Sequence, residues 1–172
     1  MTEEGKKLAV DFGSKLPTNK KIRLFHSHVK RCEETAICIK QGFKGDVSEI
    51  IVHNLLTGFY LLNPEPILRD VNKIGSFKFI SNWFSGFYPD NQLMSALKAR
   101  KQMTDYIIQN YDQNYLDIYV THDWNIVLLL SHFYKVIESN YLWPNYMNGV
   151  SFENTQNEIS IICNTNAKIK IS

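Results

Sequence analysis

At 172 residues, with 44% apolar and 13% aromatic side chains but only 5 prolines and 8 glycines, the chain can bury one sizeable core and is neither a disordered polymer nor a fibrous repeat. Nineteen basic against seventeen acidic side chains leave a net charge of +2, far short of the clustered positive field with which nucleic-acid binders displace counterions. The longest apolar run, Ile126 to Leu130, is far below the roughly 18 residues of a membrane span, and Met1 to Gly13 has no signal-peptide core. Thr2 suits a helix N-cap, and Leu8, Phe12 and Leu16 recur every fourth residue until Pro17, which predicts an opening amphipathic helix. Ile22 to Ser27 is a short β-favouring run, and it leads into a segment whose Val29, Cys32, Ala36 and Ile37 share one helical face ending near Gly42.

Residues 45–89 read as an irregular, partly helical cap or insertion, with Ile50 to Val52 a short strand and Phe77 to Tyr88 an aromatic stretch suited to a packed cap or core. Asp90 is expected to cap a long helix through Leu93, Leu97, Met103, Ile107 and Tyr111. Leu116 to Thr121 follows as a strand and Trp124 to Ile137 as an apolar, buried helix. Val150 to Phe152, Glu158 to Cys163 and Ala167 to Ile171 alternate around Asn-rich turns, which predicts an antiparallel meander. Strands that feed helices imply α/β layers in a single domain spanning residues 1–172. Three cysteines (Cys32, Cys38, Cys163) without a Cys-x-x-Cys pair form no disulfide framework or zinc site and read as small buried hydrophobes. The expectation is a cytoplasmic protein with neither nucleic-acid nor membrane partners.

Ligands of open α/β sheets bind beyond the carboxyl ends of strands, and both strand-to-helix junctions here are rich in ionisable groups. The first runs from Phe25 through His26, Ser27, His28, Lys30 and Arg31 to Glu34, and the second from Val120 through His122 and Asp123 to Asn125. Together they hold a fixed cation, a histidine and a carboxylate near helix N-termini, which suits gripping an oxyanion and protonating a leaving group. Plainer roles stand beside these. Arg31 sits against the helix dipole, yet an ion pair with Glu34 accounts for it equally; Asp123 can simply N-cap the next helix. His26 and His28 share a strand face and with His122 and Asp123 could ligate a metal, although hydrogen-bonded structural histidines are commoner. His53 and His132 read as structural.

In this arrangement the chain resembles the histidine phosphatase superfamily, which contains the phosphoglycerate mutases and the histidine acid phosphatases. Four segments carry the similarity: Thr2-Glu3-Glu4-Gly5 with its helix, Ser27-x-x-x-Arg31-Cys32-x-Glu34-Thr35-Ala36, Thr121-His122-Asp123, and Trp143-Pro144-x-Tyr146 before Val150-Ser151-Phe152-Glu153. The resemblance implies a three-layer α/β sandwich with a mixed, mostly parallel sheet and a phosphomonoesterase of the acid phosphatase branch. Arg31 and His122, with Ser27, would bind phosphate, and Asp123 would protonate the departing oxygen. No cofactor or metal is implied; the partner would be a phosphorylated small molecule or phosphate ion. Family members begin with a strand ending in Arg-His-Gly, whose histidine is the nucleophile, and no Arg-His pair occurs in the 172 residues. Positions 26 and 28 also depart from the usual Ser and Pro. Loss of that central strand would leave its neighbours unpaired and favour a rearranged sheet or a homodimer. A non-catalytic phospholigand-binding or interaction module on the same fold is the alternative.

Overall fold

A computed structural model describes residues 1–131, 143–155, 158–162 and 168–170, and the chain divides into two compact units. The first comprises Met1–Gly58, Asn110–His122 and Asn145–Met147. Its three-stranded sheet has β1 (Lys21–His26) between β2 (Val47–Val52) and β3 (Tyr115–Val120), with all neighbours parallel. Ile22, Leu24 and Phe25 of the central strand are buried, as a strand covered on both faces requires. His26 lies in register with both Val52 and Val120, so the strands finish together and the residues after them leave from one edge. Arg23 is held across the sheet by both oxygens of Asp117, at 2.6 Å each, and by the Asn110 carbonyl.

Helix α1 (Glu3–Ser14) starts where the sequence indicates, with the Thr2 hydroxyl accepting from the Gly5 N–H at 3.1 Å. It packs along α2 (Lys30–Gly42), and Ala9, Ala36, Ile39 and Phe43 join Ile22 and Leu24 in one core. The two helices meet at bare backbone: a Cβ on Gly13 would collide with the Ile39 carbonyl, and one on Gly42 with the Val10 carbonyl.

The second unit comprises Phe59–Gln109, Asp123–Pro144 and Asn148–Ser172. It contains α3 (Pro64–Ile74), α4 (Ser76–Phe84), α5 (Ala96–Asn110, whose last residue belongs to the first unit), α6 (Asp123–Leu130) and an antiparallel meander of β4 (Ser151–Thr155), β5 (Glu158–Ile162) and β6 (Lys168–Lys170). Tyr60, Ile67, Phe79, Ile80, Trp83, Leu93, Val127 and Leu128 form its core. The parallel strands and their helices make the chain an α/β protein with a mostly parallel sheet, as expected.

Several boundaries differ from expectation. Residues 45–89 supply β2 to the first unit and α3 and α4 to the second. The long helix begins at Ala96 rather than at Asp90. Gln92 and Leu93 donate to the Pro89 carbonyl, while Leu62 and Asn63 donate to that of Gln92, so residues 89–94 are committed to turn and bridge bonds that a helix would have to break. The end of the helix expected through Ile137, and the strand residues Cys163 and Ala167, lie outside the described residues, as does His132. β3 and β4 are terminal strands of separate sheets among the described residues.

Candidate functional site

The ladder between β1 and β3 extends one residue beyond the strands, because the Ser27 N–H donates to the Val120 carbonyl at 3.2 Å. This places the fully buried Ser27 beside His122, which follows β3 after one intervening residue. The Ser27 hydroxyl oxygen accepts from the Val29 N–H at 3.1 Å and lies 2.9 Å from His122 Nε2. On the other side of the ring, Arg31 Nη2 is 3.0 Å from His122 Nδ1. A guanidinium can only donate, so Nδ1 accepts, and the neutral imidazole carries its proton on Nε2, from which it donates to Ser27. Arg31 thus engages His122 and not Glu34, whose carboxylate instead pairs with the Met1 ammonium at 2.7 Å.

Arg31 is exposed, in the first turn of α2, and the cap residue Val29 brings no side-chain acceptor to that turn. The arrangement therefore offers an incoming oxyanion a fork of N–H donors at the N-terminus of a 13-residue helix, with the imidazole of His122 beside them. Cys32 lies at the back of the cluster, its sulfur 3.7 Å from the Thr121 carbonyl and 3.9 Å from His122 Nε2. Burial pushes the Cys32 thiol up, against the lowering effects of the Ser27 hydrogen bond and the Arg31 charge. In the sequence this cysteine reads only as a small hydrophobe; its proximity to His122 comes from the strand ends, which spacing does not reveal.

Asp123 is the first residue of α6 and not its N-cap. Its Oδ1 accepts from the Trp124 N–H at 2.9 Å, and its Oδ2 from the Trp143 indole Nε1 at 3.1 Å. With Ser76, Phe77 and Trp143 it lines an open depression of about 380 Å³ within the second unit. The aromatic stretch expected to pack as a cap or core does so through Phe79, Ile80 and Trp83, while Phe77 remains 36% exposed at this depression.

The other histidines are dispersed. His26 ends β1, is buried, and its Nδ1 meets the Ser27 carbonyl at 2.8 Å. His28 lies beyond the strand, exposed, with Nδ1 3.2 Å from the Thr57 hydroxyl. The shared strand face expected for the pair therefore does not form. His53 accepts from the Leu55 N–H at the start of a short 3-10 helix, Asn54–Leu56. No group of three or more His, Cys, Asp or Glu that could hold a metal occurs among the described residues, and no helix among them is long and apolar enough to cross a membrane.

No family model matches the chain, and no curated protein matches it significantly. Solved structures do. Bacillus stearothermophilus YhfR superposes with a TM-score of 0.58 at 19% identity, covering 99% of this chain and 82% of that one. A phosphoglycerate mutase from Bacillus anthracis str. Sterne superposes with a TM-score of 0.53 at 15% identity, covering 99% of this chain and 80% of that one. The fold of this chain is accordingly phosphoglycerate mutase-like.

Proposed function

We propose that the chain carries the phosphate-binding part of a phosphomonoesterase of the histidine phosphatase type. Arg31, His122 and Ser27 hold the phosphoryl group, and Asp123 supplies the proton to the departing oxygen. The observation that supports this reading most is the bridge from Arg31 through both nitrogens of His122 to Ser27. A phosphate oxygen can take the place of either bridging bond, because the guanidinium retains further N–H groups in its fork and the ring retains an N–H on Nε2. The fold shared with a phosphoglycerate mutase adds to it.

Calorimetric titration with phosphate or vanadate tests the site. Wild type should bind, and Arg31→Ala should weaken binding at least about tenfold, the loss expected for a charge-assisted contact worth about 1.5–3 kcal/mol. Equal heats from both proteins, or none from wild type, would remove the assignment. The role of Asp123 is separable in a form fused to an Arg-His-Gly strand. There Asp123→Asn keeps an acceptor for the Trp124 N–H but loses the proton, so alkyl phosphates should slow by about 10²–10⁴-fold and nitrophenyl phosphate much less. Equal slowing of both would show that Asp123 is not the acid.

A non-catalytic phospholigand-binding module is the second reading, and the absence of an Arg-His pair from the 172 residues favours it. Both readings use the same phosphate contacts. They part only on turnover.

A further inference from the structure

Strand β2 ends its sheet: among the described residues it pairs only with β1. A register shift between Ile22 and Arg23 interrupts the ladder near its start, and from Glu49 the pairing runs regularly to Val52 beside His26. The His53 N–H then donates to the His26 carbonyl at 2.9 Å. Backbone groups alternate sides along a strand, so Glu49, Ile51 and His53 direct theirs to β1, while Ile50 and Val52 direct theirs out of the open edge. Open edges are commonly blunted by Lys or Pro. β2 contains neither, and Ile50 and Val52, which share one face, are 39% and 56% exposed.

We propose that this edge pairs antiparallel with the same edge of a second copy of the chain, with the two-fold axis at Ile51. The outward groups of Ile50 and Val52 must meet their counterparts, so the axis falls on a residue, at Glu49, Ile50 or Ile51. An axis at Glu49 sets two carboxylates against each other, which destabilises a ladder. An axis at Ile50 opposes Val52 to Ser48 and Glu49 to Ile51, which wastes both the apolar and the charged positions. An axis at Ile51 opposes Ile50 to Val52 of the second copy on one face and Glu49 to His53 of the second copy on the other, each twice by symmetry. His53 Nδ1 accepts from the Leu55 N–H at 3.3 Å, so its neutral ring carries the proton on Nε2, a donor suited to a carboxylate. Ile51 is also the midpoint of the regular run from Glu49 to His53, so this register uses the whole run and stops short of the bulge. Acid, base and apolar positions matched about one residue fit a second copy better than an unrelated strand. The proposal concerns the first unit alone and is independent of the phosphate reading.

Sedimentation of the full chain tests it at concentrations up to about 100 µM, where a dimer with a micromolar Kd is populated. Wild type should dimerise reversibly. Val52→Lys, at an exposed position opposite Ile50 of the second copy, should weaken dimerisation at least about tenfold and sediment as a compact monomer. Cross-linking tests the register even if that variant folds poorly. A non-hydrogen-bonded antiparallel pair brings Cα atoms to about 4.5 Å, within disulfide range, so Ile51→Cys should oxidise to a covalent dimer. Ile50→Cys should cross-link more slowly, and wild type controls for the native cysteines. A wild type that stays monomeric throughout overturns the proposal, as does a dimer undiminished in Val52→Lys. Ile51→Cys cross-linking no faster than Ile50→Cys or wild type overturns it too, because the copies would then meet in another register or at another surface.

Discussion

The imidazole of His122 is held at both nitrogens, by Arg31 on one side and Ser27 on the other, so its tautomer and ring plane are set before any ligand arrives. Such restraint lowers the ordering cost of binding. It also makes Ser27 a positioning group: Ser27→Ala removes the acceptor at Nε2 and, being fully buried, leaves the Val29 N–H without its hydroxyl partner. Phosphate affinity in Ser27→Ala should drop several-fold, by the roughly 1 kcal/mol of one neutral hydrogen bond, a smaller loss than in Arg31→Ala. The neighbouring Cys32 gives a pH signature. Because burial raises its thiol in the fold, the folded state keeps a proton that the unfolded chain releases near its ordinary value of about 8.5. The stability this thiol contributes is complete below that pH and is lost as pH rises through the higher folded value. Melting temperature should therefore decline less steeply above about pH 8.5 in Cys32→Ala than in wild type, and iodoacetamide should leave native Cys32 unmodified at neutral pH. Rapid native labelling would show a thiolate that burial does not permit.

Among the elements, the contact of α1 with α2 is the most demanding, because Gly13 faces the Ile39 backbone of α2 and Gly42 the Val10 backbone of α1. Alanine is the better helix former by about 1 kcal/mol, so propensity alone predicts that Gly13→Ala and Gly42→Ala stabilise. The obstacle to each new methyl is a main-chain carbonyl, which cannot step aside as a flexible side chain can. Overpacking of this kind costs about 1–3 kcal/mol, and the clash should win, so both variants should melt below wild type. A rise in melting temperature for either would mean that the helices stand farther apart. Gly75 presents the opposite case: nothing lies within 4 Å of its would-be Cβ, but its φ of 81° is favourable only to glycine, and it lets α3 end and α4 begin at one residue.

For the whole molecule the decisive question is turnover. The geometry gives neither remaining histidine at the first junction the position of a replacement nucleophile: His26 is buried against the Ser27 carbonyl, and His28 is turned to Thr57. The 172-residue chain should bind phosphate but match the buffer rate with an aryl phosphate, and no acid-labile phosphohistidine should be trapped. Sustained turnover lost in His26→Ala or His28→Ala would establish a substitute nucleophile and reject the binding-only expectation. Bridging of β3 by another strand is a separate matter. Among the described residues that strand pairs on one side only, with β1.

Local patterns were enough to define the elements whose signals are carried by neighbours in sequence. Thr2 capping α1, the apolar run of β1 and the alternation of the C-terminal meander each depend on periodicity and capping chemistry within a few residues, and the four resembling segments pointed to the fold; in α2 the buried face runs through Cys32, Ala36 and Ile39 and leaves the expected Ile37 exposed. Tertiary structure decided the rest. The helix start moved from Asp90 to Ala96 because residues 89–94 are bonded to residues 60–63 and to their own turn, a competition between distant partners that no local window contains. The plain sequence reading of Arg31 is an ion pair with Glu34, and the parallel register of β1 with β3 brings His122 to it instead, because both strands end at one edge. Asp123 looked like a helix cap until Trp143, 20 residues away, proved to hold its second oxygen. Cys32 and Phe77 carried no signal of their own, because burial beside an imidazole and exposure beside a depression are properties of the surroundings and not of the residue.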